Sequence, residues 1–443
     1  MEKTWTELSP DERRDERFKR WLSPSNVTFS SPAAEKAYKE RVNRLVAVIQ
    51  LKKPDRVPVM MPGGFVSAAC TGIPLGKMMY DYDMLCQATL EFLQDFETDM
   101  YHGPDLAFPG KVFERINYIS HRWPGHGLAL DAPTYQFVEG EYMKADEYDS
   151  LIKDPSDFWM RTYLPRIAGA FEPFKRLQQL NPLLGIPIGY LTSYGTPEAQ
   201  AALQALLEAG KESVRWLENV AFCNQKMLEM GIPLFWGGIA SAPFDSIADM
   251  LRGTQGIVFD MFRQPDKVLE AVESLTPVTI DTAVNASNAS GSPLIFIPLH
   301  KGADGWMSEE QFLKFYWPTL RELCIGLINE GCVPLLFAEG GYNSRLEVVG
   351  DLPGGAVVWW FDQTDIFRAK EILGNTACIC GNVPSSILLN GTPVDVKEHC
   401  RKLIEVVGQN GGYILTSGAI MNQAKADNIR AMMEAAKEYG VYK

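Results

Sequence analysis

The chain has 443 residues, of which 46% are apolar, 22% charged and 11% aromatic. This is the composition of a globular protein, and it excludes a collagen-like, coiled-coil or wholly disordered chain. Acidic residues outnumber basic ones by 55 to 42, which gives a formal net charge of −13. Such a surface repels phosphate backbones and anionic lipids, so we expect no nucleic-acid partner and no membrane association.

The N-terminal segment and the cysteines indicate the compartment. Residues 1–19 are rich in charged side chains and lack the apolar centre of a signal peptide. The sequence has no run of about 18 apolar residues that could form a transmembrane helix. Its eight cysteines form no C-x-x-C pair, and scattered thiols of this kind are typical of a reducing cytosol. The sequence predicts a soluble, cytoplasmic protein.

Taken in chain order, a helical arm is followed by eight short apolar runs. Residues 1–55 are charged and helical in pattern, and Pro54 ends this arm because the residue before a proline is pushed out of the α region. Most of the later runs are apolar throughout, as in parallel strands that are buried on both faces. They are Val57–Met61, Asp99–His102, Pro233–Ile239, Pro293–Leu299, Val333–Ala338, Ala356–Phe361, Ala377–Gly381 and Tyr413–Ser417, with Leu183–Tyr190 as a ninth plausible strand.

Helical patterns follow most of these strands, for example over Met307–Glu330 and Asp395–Gly408. Strands that alternate with helices predict an α/β fold, specifically a (β/α)8 TIM barrel over residues 56–443. Two insertions interrupt the alternation. Residues 112–145 have the pattern of a hairpin or lid, and residues 150–230 form a helical excursion whose clearest helices are Ala201–Ala209 and Lys211–Met230. We expect both insertions to cap one side of the barrel.

In a barrel of this kind the reacting groups lie at the carboxyl ends of the strands. His300 and Asp304 follow the fourth strand, and Glu339 follows the fifth. A histidine that shares a cavity with carboxylates serves general acid–base catalysis or a metal site. We therefore predict that Glu339, His300 and Asp304 are catalytic. The structural alternatives are a helix-capping role for His300 and a turn for Asp304.

Generic nucleotide and hydrolase signatures do not occur in this sequence. No G-x-G-x-x-G follows a strand, and neither H-E-x-x-H nor G-x-S-x-G is present. Nicotinamide, nucleotide and serine-hydrolase chemistry are therefore disfavoured.

A set of short segments resembles the uroporphyrinogen decarboxylase superfamily. The resemblance covers most of residues 40–443 and implies the (β/α)8 barrel that the strand pattern also predicts. The superfamily includes porphyrinogen decarboxylases and cobalamin-linked methyltransferases. The segments are Pro54–Val59, Ala242-Pro243 with Gly253, Gln264–Val268, Gly381–Pro384, Gly391–Pro393 and Asp427–Ile429.

The chain departs from both of these branches at the residues that define them. The decarboxylases carry an arginine pair after the first strand, where this chain has Gly63 to Ser67 without arginine. The coenzyme M methyltransferases hold zinc with a His-x-Cys and a later Cys, and this chain has Ala338, Gly340 and Ala419 there. The resemblance therefore implies a third branch, whose members are often found with corrinoid proteins.

This branch implies methyl transfer from a small methoxy-type donor to cob(I)alamin. The cobalamin would be carried by a separate corrinoid protein, because the chain has no D-x-H-x-x-G motif. An acid or a metal must assist the leaving oxygen. Glu339 or His300 would be that acid, or His300, Glu339 and Asp362 would hold a divalent metal such as zinc.

The same resemblance assigns residues to substrate binding. Aromatic side chains would line an apolar wall, with core packing as the alternative, and Asp245 would bind substrate or cap a helix. The predicted substrate-binding residues are Phe65, Asp105, Trp236, Asp245, Asp249 and Tyr342. Two other functions stay open: decarboxylation of a small acid on the same barrel, and a non-catalytic, ligand-binding accessory role. A homodimer is one assembly open to the chain.

Overall fold

A parallel sheet lies at the centre of the computed structural model, which describes residues 3–61, 63–179 and 188–442. Strands β4 to β9 form this six-stranded sheet in chain order, each paired in parallel with the next. Strands β1 to β3 form a separate small sheet. The described strands are β1 (His121–Pro124), β2 (Gly127–Leu128), β3 (Gln136–Phe137), β4 (Gly238–Ile239), β5 (Leu294–Leu299), β6 (Val333–Ala338), β7 (Val358–Phe361), β8 (Cys378–Cys380) and β9 (Tyr413–Ile414).

Isolated parallel bridges extend the sheet at both edges. Val59 pairs with Leu415 directly after β9, and Met60 pairs with Met100. Tyr101 in turn pairs with Leu234, ahead of β4. The first two predicted strands are therefore present as extended segments that pair through single bridges. The predicted α/β class with a parallel sheet is confirmed.

Helices connect the strands and cover them. Among the described residues, the α-helices of eight residues or more are α1 (Pro10–Leu22), α2 (Pro32–Ile49), α3 (Tyr82–Asp95), α4 (Pro197–Glu229), α5 (Gly253–Arg263), α6 (Pro265–Ser290), α7 (Trp317–Asn329), α8 (Ile366–Leu373), α9 (Pro393–Val406) and α10 (Ala426–Glu438). The shorter ones are Val66–Thr71, Leu75–Met78, Gly110–Ile116, Tyr148–Lys153, Pro155–Phe158, Leu164–Ile167, Ile188–Leu191, Pro243–Ile247, Glu309–Gln311, Leu346–Val349 and Ser385–Asn390. None of the described helices is long and apolar enough to cross a lipid bilayer.

Alternate residues of β5 to β9 enter two different cores, as the period of two in a strand requires. In β5, Ile295 and Ile297 pack in the larger cluster with the helices, whereas Phe296 packs in an inner cluster. The inner cluster is strongly aromatic: the rings of Phe337 and Trp360 are 4.2 Å apart, and Phe296 lies 6.1 Å from Phe337. These side chains lie together on one face of the sheet.

The N-terminal arm closes one end of the inner cluster. It consists of α1 and α2, whose residues Trp21, Val42 and Leu45 are buried together with the inner strand residues. Both helices begin at a serine whose side chain accepts a backbone N–H, followed directly by a proline, which is the expected chemistry of a helix start.

The insertions differ in detail from their predicted form. The helices predicted over Ala201–Ala209 and Lys211–Met230 are one helix, α4, so the predicted break at Gly210 is wrong. An isolated glycine costs a helix only about 1 kcal/mol relative to alanine, which the packing of α4 outweighs. Residues 112–145 contain the antiparallel pair β1 and β3, as expected for a hairpin. The predicted strand over 183–190 falls mainly outside the described residues.

Candidate active site

A histidine and an aspartate meet at the carboxyl end of β5. His300 directly follows this strand, and its Nδ1 lies 2.6 Å from Oδ2 of Asp249. Asp249 belongs to a π-helical turn, Ala248–Arg252, a distortion often found at functional sites. The structure places Asp249, predicted to bind substrate, directly beside His300, predicted to be catalytic.

Asp245 holds the backbone beneath this pair. Its carboxylate accepts hydrogen bonds from the backbone N–H groups of His300 (2.9 Å) and Lys301 (3.0 Å) and from the Tyr316 hydroxyl (2.7 Å). Only 3% of Asp245 is exposed. Burial, together with the charge of Asp249, raises the pKa of Asp245 to about 6. Asp245 therefore has the contacts of a capping residue. The backbone that it caps is the turn after β5, whereas Asp245 itself belongs to the helix Pro243–Ile247.

Carboxylates determine the protonation of His300. Burial alone would lower its pKa, but the hydrogen bond to Asp249 and the charges of Asp245 and Glu339 outweigh this effect. The pKa of His300 rises to about 9, so the imidazolium is the main form at neutral pH. Because Asp249 takes Nδ1, the Nε2–H group remains to act on a ligand.

Glu339 faces that free nitrogen. It follows β6, the neighbour of β5, and its Oε1 lies 3.7 Å from Nε2 of His300. This distance exceeds a hydrogen bond, and both side chains stay accessible, with 38% of His300 and 43% of Glu339 exposed. Burial and the neighbouring carboxylates raise the pKa of Glu339, although His300 opposes them. The site thus presents a charged donor beside a carboxylate that is itself easier to protonate than usual.

Lys301 links the pair to the 112–145 insertion, and the sequence argument missed this residue. Its Nζ lies 3.2 Å from Oδ1 of Asp249 and donates to the Thr254 hydroxyl at 2.8 Å. Glu139 of the insertion accepts the backbone N–H of Thr254 and lies 3.9 Å from the same Nζ. The signal that could have identified Lys301 is its position next to His300 at the strand end.

Two of the predicted site residues, Asp304 and Tyr342, make contacts within the protein. Asp304 accepts the backbone N–H and the hydroxyl of Ser344, which ties the turn after β5 to the loop after β6. Tyr342 is fully buried and donates its backbone N–H to Thr364. Tyr342 is thus buried as core packing would require, and Asp304 has the contacts expected of a turn residue. Their predicted roles in the site stay predictions.

Phe65, Asp105 and Trp236 are grouped around a second polar cluster. The Trp236 indole N–H donates to Asp105 at 2.8 Å, and the Trp236 ring lies 5.6 Å from the buried His102 ring. Phe65 is 6% exposed and packs at 5.3 Å on Tyr135 of the 112–145 insertion. Asp105 keeps 22% of its side chain exposed, so it is the member of this group most available to a ligand.

The side chains predicted to hold a metal do not fit that role as they are placed. Asp362 accepts the backbone N–H of Gly340 at 3.1 Å. The bond between Nδ1 of His300 and Asp249 leaves Nε2 open, and by itself it would suit a metal-bound histidine. In the stretches that the structure describes, no group of three His, Cys, Asp or Glu side chains is arranged to hold an ion. We therefore derive no chemical step through a metal at His300, Glu339 and Asp362.

Replacement of Asp245 by alanine tests its role beneath the site. We expect Asp245→Ala to lower the free energy of unfolding by about 2–4 kcal/mol, because two backbone N–H groups and a buried hydroxyl lose their acceptor. Urea denaturation followed by circular dichroism measures the change. Asp351→Ala is the control: Asp351 is 71% exposed and pairs only with Arg321 at the surface, and an equal loss in both variants would contradict this assignment.

The parallel sheet with titratable groups at its strand ends defines an α/β protein of enzyme type. A family model, Uroporphyrinogen decarboxylase (URO-D), matches residues 211–439, which is more than half of the chain. The chain belongs to this family.

Individual relatives are distant. The chain is 24% identical over 226 residues to the uroporphyrinogen decarboxylase of Syntrophotalea carbinolica, covering 49% of this chain but only 63% of that relative, which is less than two thirds of its length. It is also 24% identical over 283 residues to that of Chlorobium luteolum, covering 60% and 78%. A methyltransferase from Methanosarcina mazei has a similar structure, with a TM-score of 0.56, 14% identity and coverage of 90% of this chain and 98% of that one. At this identity the likeness concerns the fold alone.

Proposed function

We propose that this protein transfers a methyl group from a small methoxy-type substrate to cob(I)alamin carried by a separate corrinoid protein. The proposal includes closure of the sheet into a (β/α)8 barrel, with residues 57–61 and 99–102 as the two strands between β9 and β4. The observation that supports the reaction is the His300–Asp249 pair, whose imidazolium keeps a free Nε2–H at an accessible strand end.

The chain's own residues supply the acid. An alkoxide or phenoxide leaves slowly unless its oxygen is protonated as the bond to carbon breaks. His300 donates its Nε2 proton to the ether oxygen, the electron pair of the C–O bond stays on that oxygen, and the product is an alcohol or phenol. Asp249 orients the ring through Nδ1, and Asp245 fixes the backbone below it. Glu339 stabilises the imidazolium as a carboxylate before transfer, and the imidazole afterwards regains its proton from water at the exposed rim.

The corrinoid would act from outside the chain. When it is present it supplies the nucleophile for the methyl carbon. The cavity between Met60, His102 and Trp236 has a volume of only about 10 Å³, so it cannot hold a corrinoid. The exposure of His300 and Glu339 suits a group that a partner protein presents at an open rim.

Decarboxylation of a small acid is the second candidate, and the relatives favour it, since the curated proteins named above are uroporphyrinogen decarboxylases. The charges around the site oppose it. Gly63 to Ser67 contains no arginine, and the nearby cation of Lys301 is already paired with Asp249. A substrate with several carboxylates would meet Asp249, Glu339 and Asp362 with few free cations to balance them.

One assay pair separates the candidates. The purified protein is mixed with cob(I)alamin and a panel of methoxylated compounds, and the corrinoid spectrum is followed; in parallel, release of carbon dioxide from small carboxylic acids is measured. A donor-dependent spectral change that His300→Gln abolishes supports the proposal. Carbon dioxide release that depends on His300 would instead establish decarboxylation, and binding without turnover in either assay would indicate an accessory role.

Asp249→Asn tests the partner of the acid. Removal of this carboxylate lowers the pKa of His300, because the hydrogen bond to Asp249 is the strongest influence that raises it. We expect an alkaline limb of the wild-type pH–rate profile near the His300 pKa of about 9. In the variant this limb should move to lower pH, so that the variant loses more activity at alkaline than at acidic pH. Asp304→Asn is the matched control: its contacts are with Ser344, and a displaced limb there would contradict the assignment.

A further inference from the structure

The ammonium group of Lys301 lies between two parts of the chain that are far apart in sequence. Its Nζ donates to the Thr254 hydroxyl at 2.8 Å and lies 3.2 Å from Oδ1 of Asp249. Glu139 of the 112–145 insertion approaches the same Nζ to 3.9 Å. An ammonium group has three protons to donate, and these three oxygen atoms surround it.

The contact with Lys301 fixes the orientation of the Asp249 carboxylate. Oδ2 of Asp249 lies 2.6 Å from Nδ1 of His300, so each of the two carboxylate oxygens faces a different cation. The side chains of Lys301 and Asp249 are only 14% and 13% exposed. An ion pair that is shielded in this way is weakened less by solvent and salt than a pair at the surface. Without Lys301 the carboxylate is free to rotate, and the imidazole that it holds then changes direction.

The insertion is held against Lys301 through Thr254. Glu139 accepts hydrogen bonds from both the backbone N–H and the hydroxyl of Thr254, and the same hydroxyl accepts a hydrogen bond from Lys301. Gly253 permits this close approach, because a Cβ added there would meet the carbonyl oxygen of Gly140 at 3.2 Å. Glu139 itself is 44% exposed, so its charge can be removed with little disturbance of the core.

We propose that Lys301 is a positioning residue for the reaction at His300 and that Glu139 acts through it. The ammonium group holds Asp249 in the orientation that directs Nε2–H of His300 towards the ligand, and Glu139 keeps the ammonium group in place. The inference rests on the function proposed above, and it adds the 112–145 insertion to the parts of the chain on which the reaction depends. In this role neither Lys301 nor Glu139 touches the reacting atoms, so both should affect turnover more than substrate binding.

Turnover measurements on the full chain test both residues. Lys301→Met should lower kcat about 10–100-fold with little change in KM, because the catalytic group is misdirected. Lys301→Arg restores a cation and should recover most of this loss. Glu139→Gln should lower kcat about twofold to fivefold, as expected for a partly exposed ion pair, and should have no further effect when it is combined with Lys301→Met. An equal effect of Glu139→Gln in both backgrounds would overturn its action through Lys301.

Two variants serve as controls. Glu141 of the same insertion is as exposed as Glu139 but pairs with Arg252, so Glu141→Gln should leave kcat unchanged. A loss equal to that of Glu139→Gln would contradict the path through Lys301. Lys397 joins α9 to α10 through Glu434, and Lys397→Met should also leave kcat unchanged.

The proton on Nδ1 of His300 provides a test that needs no reaction. In protein that is isotopically labelled at the histidine ring nitrogens, a short hydrogen bond to Asp249 gives a downfield proton resonance, which His300→Gln identifies by its loss. We expect this resonance to shift and broaden in Lys301→Met and to be retained in Lys301→Arg. An unchanged resonance in Lys301→Met would overturn the proposal, whether or not methyl transfer occurs. A changed resonance without transfer from any donor would support the positioning role and contradict the proposed reaction alone.

Discussion

His300→Gln is expected to reduce the turnover number of the methyl-transfer reaction by about 10²–10⁴-fold, the usual contribution of a positioned general acid. Glutamine keeps a similar size and can donate a hydrogen bond, but it cannot supply a proton. Substrate binding should change much less than turnover, because the interaction that is lost is made mainly as the C–O bond breaks. Initial rates at saturating donor, measured with the corrinoid in excess, give the comparison.

The pH dependence supplies a readout that a merely structural role would not change. In the wild type the rate should fall as the pH rises through about 9, where His300 loses its proton, and His300→Gln should lack this limb. His126→Gln is the control, because His126 is a similarly exposed histidine that pairs with Glu114 in the hairpin insertion. An alkaline limb that persists in His300→Gln would show that another group is the acid.

The same pKa affects stability, independently of the reaction. The folded-state pKa of His300 lies above the ordinary value of 6.5. The imidazolium therefore stabilises the fold fully below about pH 6.5, and this contribution is lost as the pH rises through about 9. Over that window the urea midpoint of the wild type should fall more than that of His300→Gln. A stability difference without loss of activity in His300→Gln would contradict the proposed reaction alone. Loss of activity without a stability difference would contradict the assigned ion pair alone.

The strands were predictable wherever burial is complete. β6 coincides with the predicted run Val333–Ala338, because all six residues are buried and a fully apolar run leaves no ambiguity. The predicted run Tyr413–Ser417 extends three residues beyond the end of β9 at Ile414. Leu415 and Ser417 are still paired, but only through single bridges to Val59 and Val383. Strand ends depend on the neighbouring strand, which the local sequence does not contain.

The site was predictable only in part, for a similar reason. The rule that places reacting groups at strand ends identified His300 and Glu339, which belong to adjacent strands and face each other. It could not distinguish Asp249, which binds His300, from Asp304, which binds Ser344, because each role depends on a partner about 40 or 50 residues away. Thr254 and Glu139 had no local signal at all, since the insertion meets the site only in the folded chain.

Asp99→Ala is expected to cause the largest loss of stability, about 3–5 kcal/mol, because it leaves buried cations without their counter-charge. Asp99 is completely buried and forms ion pairs with Arg44 of α2 and with Arg56. It also accepts the backbone N–H of Val59 at 2.7 Å. Its carboxylate thus joins the N-terminal arm to the two extended segments that bridge the edges of the sheet.

Removal of this one side chain should loosen the arm before the rest of the fold. Arg44 is only 6% exposed, and without Asp99 it retains only Asp55, which is 63% exposed and reaches it from the surface. We therefore expect faster hydrogen exchange over α2 and residues 57–61 in Asp99→Ala, together with the lower urea midpoint. Asp427→Ala is the control, since Asp427 is 78% exposed and pairs with Arg430 on the same helix. Exchange that increases equally across the whole chain would show that Asp99 supports the fold generally, and that the arm has no separate dependence on it.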